Sequence, residues 1–176
     1  MKKILAIGGS NSKTSINKML ATHIASKIAG AEVTTLNWEN LVLPLYSPDL
    51  EKESGIPEEV AAFKKQIEAT DAVVLSVAEH NGNITAAFKN LWDWTSRLDP
   101  KVWMSKPLFL AATSPGGRGG MNALEITKNL MPHYGGNVIV DFILPSFYDN
   151  FKEGTITDAE KLQELTDKIE VFSKSI

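Results

Sequence analysis

Two kinds of apolar pattern alternate along this chain. The first is a short run rich in Val, Ile, Leu or Ala: Lys3 to Ile7, Glu32 to Trp38, Asp71 to Ala78, Pro107 to Thr113 and Asn137 to Leu144. Runs of this length, bounded by Gly, Pro or Asp, predict strands buried on both faces. The second places apolar residues every third or fourth position and predicts helices. Residues 15 to 29 do so with Ile16, Leu20, Ile24 and Ile28, and Gly30 suits the stop. Pro57 opens another helix with Val60, Phe63 and Ile67 on one face, and Phe88, Leu91, Trp92 and Thr95 share a face of the next. Thr157 and Glu160 read as a capping box before Leu162, Leu165, Ile169 and Phe172. Strands alternating with helices predict an α/β fold, a doubly wound five-stranded parallel sheet with helices on both faces. The common strand order is 2-1-3-4-5, with the ligand beyond the carboxyl ends of strands 1 and 3.

Composition narrows the function classes. The chain has 176 residues, which predicts one domain over 1–176. Eighteen basic against 21 acidic residues give a net charge of −3, so no nucleic-acid partner is expected. With no Cys, thiolate metal sites, disulfides and cysteine nucleophiles are excluded. No apolar run approaches the roughly 20 residues of a membrane helix, and the run after Lys2-Lys3 is too short for a signal peptide. No membrane partner and a cytoplasmic location are expected.

Three loops at the predicted ligand end are unusual. The first, Gly8-Gly9-Ser10-Asn11-Ser12-Lys13-Thr14-Ser15-Ile16-Asn17, joins a strand to a helix N-terminus, where free N–H groups and the helix dipole favour an anion. It lacks the Gly before Lys-Thr of a triphosphate loop and the G-x-G-x-x-G of a dinucleotide fingerprint. Hydroxyls and amides with little formal charge suit the single phosphate of a mononucleotide such as FMN; the plain alternative is a polar turn capping a helix. The second loop, Ala78-Glu79-His80-Asn81-Gly82-Asn83-Ile84-Thr85, precedes a helix with Asn90, Asp93 and Trp94. The third, Ser114-Pro115-Gly116-Gly117-Arg118-Gly119-Gly120, has four glycines in seven positions, which lets backbone approach a flat ligand closely.

Other residues read as scaffold. His23, His80 and His133 are too far apart for a metal-ligand spacing, and no G-x-S-x-G supports a serine hydrolase. His23 is expected to be a partly exposed structural residue. Trp92, Trp94 and Trp103 are expected in the core or an interface. The connection from Glu39 to Ile56 is long enough to be functional or to pack over the sheet edge. Phe147, Tyr148 and Phe151 are placed to cover a substrate or a subunit partner.

Gly9-Ser10 with Ser15-Ile16-Asn17, Glu79-x-Asn81 with Lys89-Asn90 and Asp93-Trp94, and Lys106-Pro107 leading into Ser114-x-Gly116-x-x-Gly119-Gly120 resemble the signatures of the flavodoxin-like NAD(P)H-dependent FMN reductases. That family includes quinone, chromate and azo-dye reductases, and the likeness covers nearly the whole chain. Ser12 stands where the family usually has Arg, Ala78 and His80 where it has Pro and Tyr, and Thr85-Ala86 where it has Pro-Gly. The resemblance implies a flavodoxin-like fold, FMN as cofactor, NADPH or NADH as co-substrate and a small acceptor such as a quinone or free flavin. It implies phosphate contacts at Ser10, Ser12, Ser15, Ile16 and Asn17. The flavin ring would meet Ala78, Glu79, His80, Asn81 and Gly82, and also Ser114, Pro115, Gly116 and Gly117. It implies no catalytic side chain, because the flavin carries the chemistry, and a homodimer or homotetramer. The alternative is a flavodoxin-type electron carrier without NAD(P)H oxidoreductase activity.

Overall fold

A computed structural model describes residues 1–176. In chain order the elements are β1 (Lys2–Gly9), α1 (Ile16–Ser26), β2 (Ala31–Thr35), α2 (Pro48–Ser54), α3 (Glu58–Glu68) and β3 (Ala72–Val77). Then come β4 (Glu79–His80), β5 (Asn83–Ile84), α4 (Ala86–Leu98), β6 (Pro107–Thr113), α5 (Met121–Leu130) and β7 (Asn137–Leu144). The chain closes with α6 (Phe147–Asn150), β8 (Phe151–Lys152), β9 (Thr155–Ile156) and α7 (Ala159–Ser173). Five strands pair in the order β2-β1-β3-β6-β7, all parallel, which is the expected 2-1-3-4-5 arrangement. No helix is long and apolar enough to cross a membrane.

Period-two alternation on the strands builds a separate core on each face of the sheet. Leu5, Ile7, Val73, Leu75, Leu108 and Leu110 face Phe63, Ile67, Phe88, Leu91 and Leu124 of α3, α4 and α5. Ile4, Ala6, Val74, Phe109, Ala111 and Phe142 face Leu20, Ile24 and Ala25 of α1 and Leu165 and Phe172 of α7. Trp92, Trp94 and Trp103 are all buried, as expected.

The structure moves several boundaries, each through a contact beyond the local window. β1 runs on through Gly8 and Gly9, because β3 pairs with both. β2 ends at Thr35 rather than Trp38: the Trp38 indole N–H donates to Gly8 O at 2.7 Å and draws the chain off the sheet. α1 stops at Ser26, whose hydroxyl takes the His23 carbonyl at 2.8 Å, and the chain turns at Gly30 with φ +72°. The expected capping box at Thr157 is absent. Asp158 caps α7 by accepting from Lys161 N at 2.8 Å, and the Thr157 hydroxyl donates to Asp149 O instead. Helix α2 and the two short hairpins have too little periodicity to be read from the sequence.

Gly8 brings α1 down onto β1. A Cβ there would lie 2.5–2.8 Å from Lys18 N, Cα and Cβ, closer than packed atoms approach. Gly8→Ala is expected to force the helix outward and cost about 1–3 kcal/mol, seen as a lower urea midpoint with an unchanged slope. An unshifted midpoint would show that α1 has room to move.

His23 is 7% exposed rather than partly exposed, and edge-on to Phe151 with ring centroids 5.3 Å apart. Burial, then the Lys27 charge, holds its pKa below 6.5. The neutral ring's contribution to stability is therefore complete above the unfolded value near pH 6.5. It is lost as pH falls from there through the depressed folded value. Urea midpoints are expected to drop more between pH 7.5 and 5.5 for the wild type than for His23→Phe, which keeps a flat ring. Parallel pH profiles would refute this.

Candidate functional site

The first loop leaves β1 and enters α1 through a chain of hydroxyl acceptors. Ser12 N donates to Ser10 Oγ at 3.2 Å, Thr14 N to Ser12 Oγ at 3.3 Å, and Lys18 N to Ser15 Oγ at 3.1 Å. Ser15 is thereby the N-cap of α1. These bonds use oxygen lone pairs and leave the Ser10 and Ser15 O–H groups available, while the Ser12 and Thr14 hydroxyls share a hydrogen bond at 3.4 Å. The N–H groups of Asn11, Lys13, Ile16 and Asn17 have no acceptor within the protein. Those of Ile16 and Asn17 are the orphan donors that begin any helix, at the positive end of its dipole.

The second loop folds into the β4–β5 hairpin. Asn81 and Gly82 have φ of +53° and +76°, the two positive values that a type I′ turn requires. The Glu79 carboxylate accepts from Asn122 N at 2.9 Å and Ala123 N at 3.2 Å, capping α5, whose own N-cap residue is Gly120. This ties the second loop to the helix that follows the third. Thr85 caps α4 and donates its hydroxyl to Gly9 O at 2.8 Å, joining the hairpin to β1.

The third loop is held by its carbonyls. Gly116 O accepts from Gly119 N and Ser146 N, and Ser114 O accepts from Phe147 N. The N–H groups of Gly116, Gly117 and Arg118 have no protein acceptor. Gly119 has φ +60°, and a Cβ there would overlap Ile143 Cγ2.

Ser10, Ser12, Ser15, Ile16, Asn17, Ala78, Glu79, His80, Ser114 and Pro115 together line one concavity of about 210 Å³. Asn81, Gly82, Gly116 and Gly117 lie outside its wall, on the hairpin turn and the third-loop rim. Thr14, Thr113 and Tyr148 also line it and were not singled out as ligand contacts. Tyr148 had a sequence signal, being one of the aromatic residues after the last strand. The volume is below the roughly 300–1,000 Å³ of a site that encloses a whole drug-sized ligand. No Lys or Arg lines it. Lys13 is exposed and lies 3.8 Å from Glu39. Asn17 is 3% exposed, and its side chain is engaged inside the protein, with Ser76 and Thr113. It therefore meets the cup chiefly through its backbone N–H.

Residues 2–149 match the family model of the NADPH-dependent FMN reductases. The chain is 28% identical over 185 residues to a quinone reductase of Escherichia coli, covering 99% of this chain and 95% of that one. It is 31% identical over 172 residues to an NAD(P)H:quinone oxidoreductase of Solanum tuberosum, covering 93% and 87%. Among solved structures, a flavoenzyme NAD(P)H:(acceptor) oxidoreductase from Paracoccus denitrificans superposes with a TM-score of 0.77. It is 27% identical, with 99% of this chain and 96% of that one covered.

With Lys13 exposed and outside the cup, a phosphomonoester there would be held by neutral donors and the helix dipole. Lys13→Ala is expected to weaken FMN binding by less than about threefold, as for a screened surface charge. Fluorescence titration at 0.1 M salt measures this, and a loss above about tenfold would place the lysine on the phosphate.

Proposed function

The chain belongs to the NADPH-dependent FMN reductase family, and from that premise we propose that it takes electrons from NAD(P)H through bound FMN and delivers them to a quinone. The reductase assignment and the use of FMN follow from the family. The quinone, the residues that hold the cofactor and the assembly are our reading. The observation that carries it is the cup at the start of α1, where the Ile16 and Asn17 N–H groups lack protein acceptors beside the hydroxyls of Ser10, Ser12, Thr14 and Ser15, and no cation lines the wall. A phosphate monoester satisfies such a set, because buried or half-buried donors need acceptors and the dipole favours negative charge.

In this reading the Ser10, Ser12 and Ser15 hydroxyls and the Ile16 and Asn17 N–H groups hold the phosphate. Ala78, His80 and Pro115 form the walls against which the ring system lies. The free N–H groups of Gly116 and Gly117 face its polar edge, while Glu79, Asn81 and Gly82 shape the hairpin that borders it. When bound, FMN supplies hydride acceptance from NAD(P)H and electron delivery to the acceptor. The protein's residues bind, orient and shield, and none is required as an acid or base. The family membership leaves the electron-carrier alternative without support. The same reading takes 1–176 as one FMN-binding domain in the cytoplasm, where NAD(P)H is supplied. It also takes the protein as a homodimer or homotetramer, for which exposed Val42 and Leu45 offer apolar surface.

FMN titrated into apo-protein is expected to saturate in the micromolar range or tighter. NADPH or NADH oxidation with a benzoquinone should give parallel double-reciprocal lines, since donor and acceptor use the same open face in turn. A hydrogen bond to a charged group is worth about 1.5–3 kcal/mol. Ser10→Ala with Ser12→Ala should therefore weaken FMN at least about tenfold while weakening riboflavin little. Equal loss for both flavins would remove the phosphate from this loop, and intersecting lines would contradict a shared face.

A further inference from the structure

Ser76 is the one hydroxyl in β3, a strand otherwise made of Ala, Val and Leu, and it has no solvent exposure. A polar group buried in such a strand costs stability unless it is bonded. Its Oγ–H donates to Asn17 Oδ1 at 2.7 Å. The same oxygen accepts from Thr113 N at 3.1 Å, and Asn17 Nδ2 donates to Thr113 O at 3.1 Å. The last rung between β3 and β6 pairs Val77 with Ala112, so Thr113 has no partner residue on that side. The Asn17 amide takes both its N–H and its C=O, standing in for the peptide group of a strand that has ended. Thr113 Oγ–H continues the line to Leu144 O at 2.7 Å.

We propose that Ser76 is a positioning residue for the phosphate cup: through Asn17 it pins the first turn of α1 to β3 and β6, and so aims the N–H groups of Ile16 and Asn17. Ser76 does not line the concavity. Asn17 serves twice, its side chain as a strut and its backbone N–H as a donor to the ligand. The ring-side loops have separate anchors, Glu79 on α5 and Ser146 on Gly116. Loosening the strut therefore disturbs the phosphate end first. This inference rests on the FMN reading above.

The test is Ser76→Ala, with Kd for FMN and riboflavin measured by fluorescence, and far-UV circular dichroism and a urea midpoint to establish folding. Loss of one buried hydrogen bond is worth about 1 kcal/mol. FMN should weaken about three- to tenfold and riboflavin less than about twofold. Ser76→Cys, which keeps a weak donor, should fall between wild type and Ala and covers the case in which the Ala variant does not fold. Unchanged FMN affinity in folded variants, or equal loss for both flavins, would overturn the proposal and leave Ser76 as packing. A wild type that binds no FMN would overturn the FMN reading and this inference together, a result distinct from normal wild-type binding that Ser76→Ala leaves untouched.

Discussion

Strands of a parallel sheet end in peptide groups that no neighbouring strand completes, and an unpaired buried carbonyl or N–H is expensive. At the ligand end of this sheet, side chains from elsewhere in the chain complete them. Trp38 donates to Gly8 O, Thr85 to Gly9 O and Thr113 to Leu144 O, while Asn17 takes both polar groups of Thr113. Each of these bonds also anchors a loop, so satisfying the strand ends and placing the candidate site are one arrangement.

The strand ends and the loops beside them differ in how far the protein satisfies its own polar groups. The carbonyls of Gly8, Gly9, Thr113, Ser114, Gly116 and Leu144 are bonded within the protein. The N–H groups at the start of α1 and in the glycine-rich loop are not. The cup therefore offers N–H and O–H donors without a lysine or arginine in its wall. Such a surface favours a phosphate and the electron-rich edge of a heteroaromatic ring.

The same economy limits what can change. Gly8 lets α1 approach until its first turn reaches Thr113 through Asn17, and Gly119 lets the third loop pass Ile143 and Leu144. Three side chains that line the concavity, Ala78, His80 and Pro115, are by contrast small or exposed. Ala78, His80 and Pro115 alter the wall without altering the frame, which is where substrate preference can diverge within a shared fold.

Much of this was legible in the chain. The five strands are recognisable because a strand buried on both faces must be apolar throughout, and Pro107–Thr113 and Asn137–Leu144 appear with the expected bounds. The position of the candidate site follows from strand order, which handedness restricts. Ten of the expected residues meet in one concavity because the parallel connections deliver all three loops to the same end. What the sequence could not decide were partnerships across long separations. Asn17 looks like a ligand contact beside Ser15, and only folding brings it to Ser76 and Thr113, 59 and 96 residues away. Glu79 looks like part of a ligand wall, and the tertiary structure puts its carboxylate on the start of α5. The ends of β2 and α7 were likewise set by Trp38 and Asp158. Apolar periodicity is a local record of which face is buried. Hydrogen-bond satisfaction is settled only when distant polar groups meet.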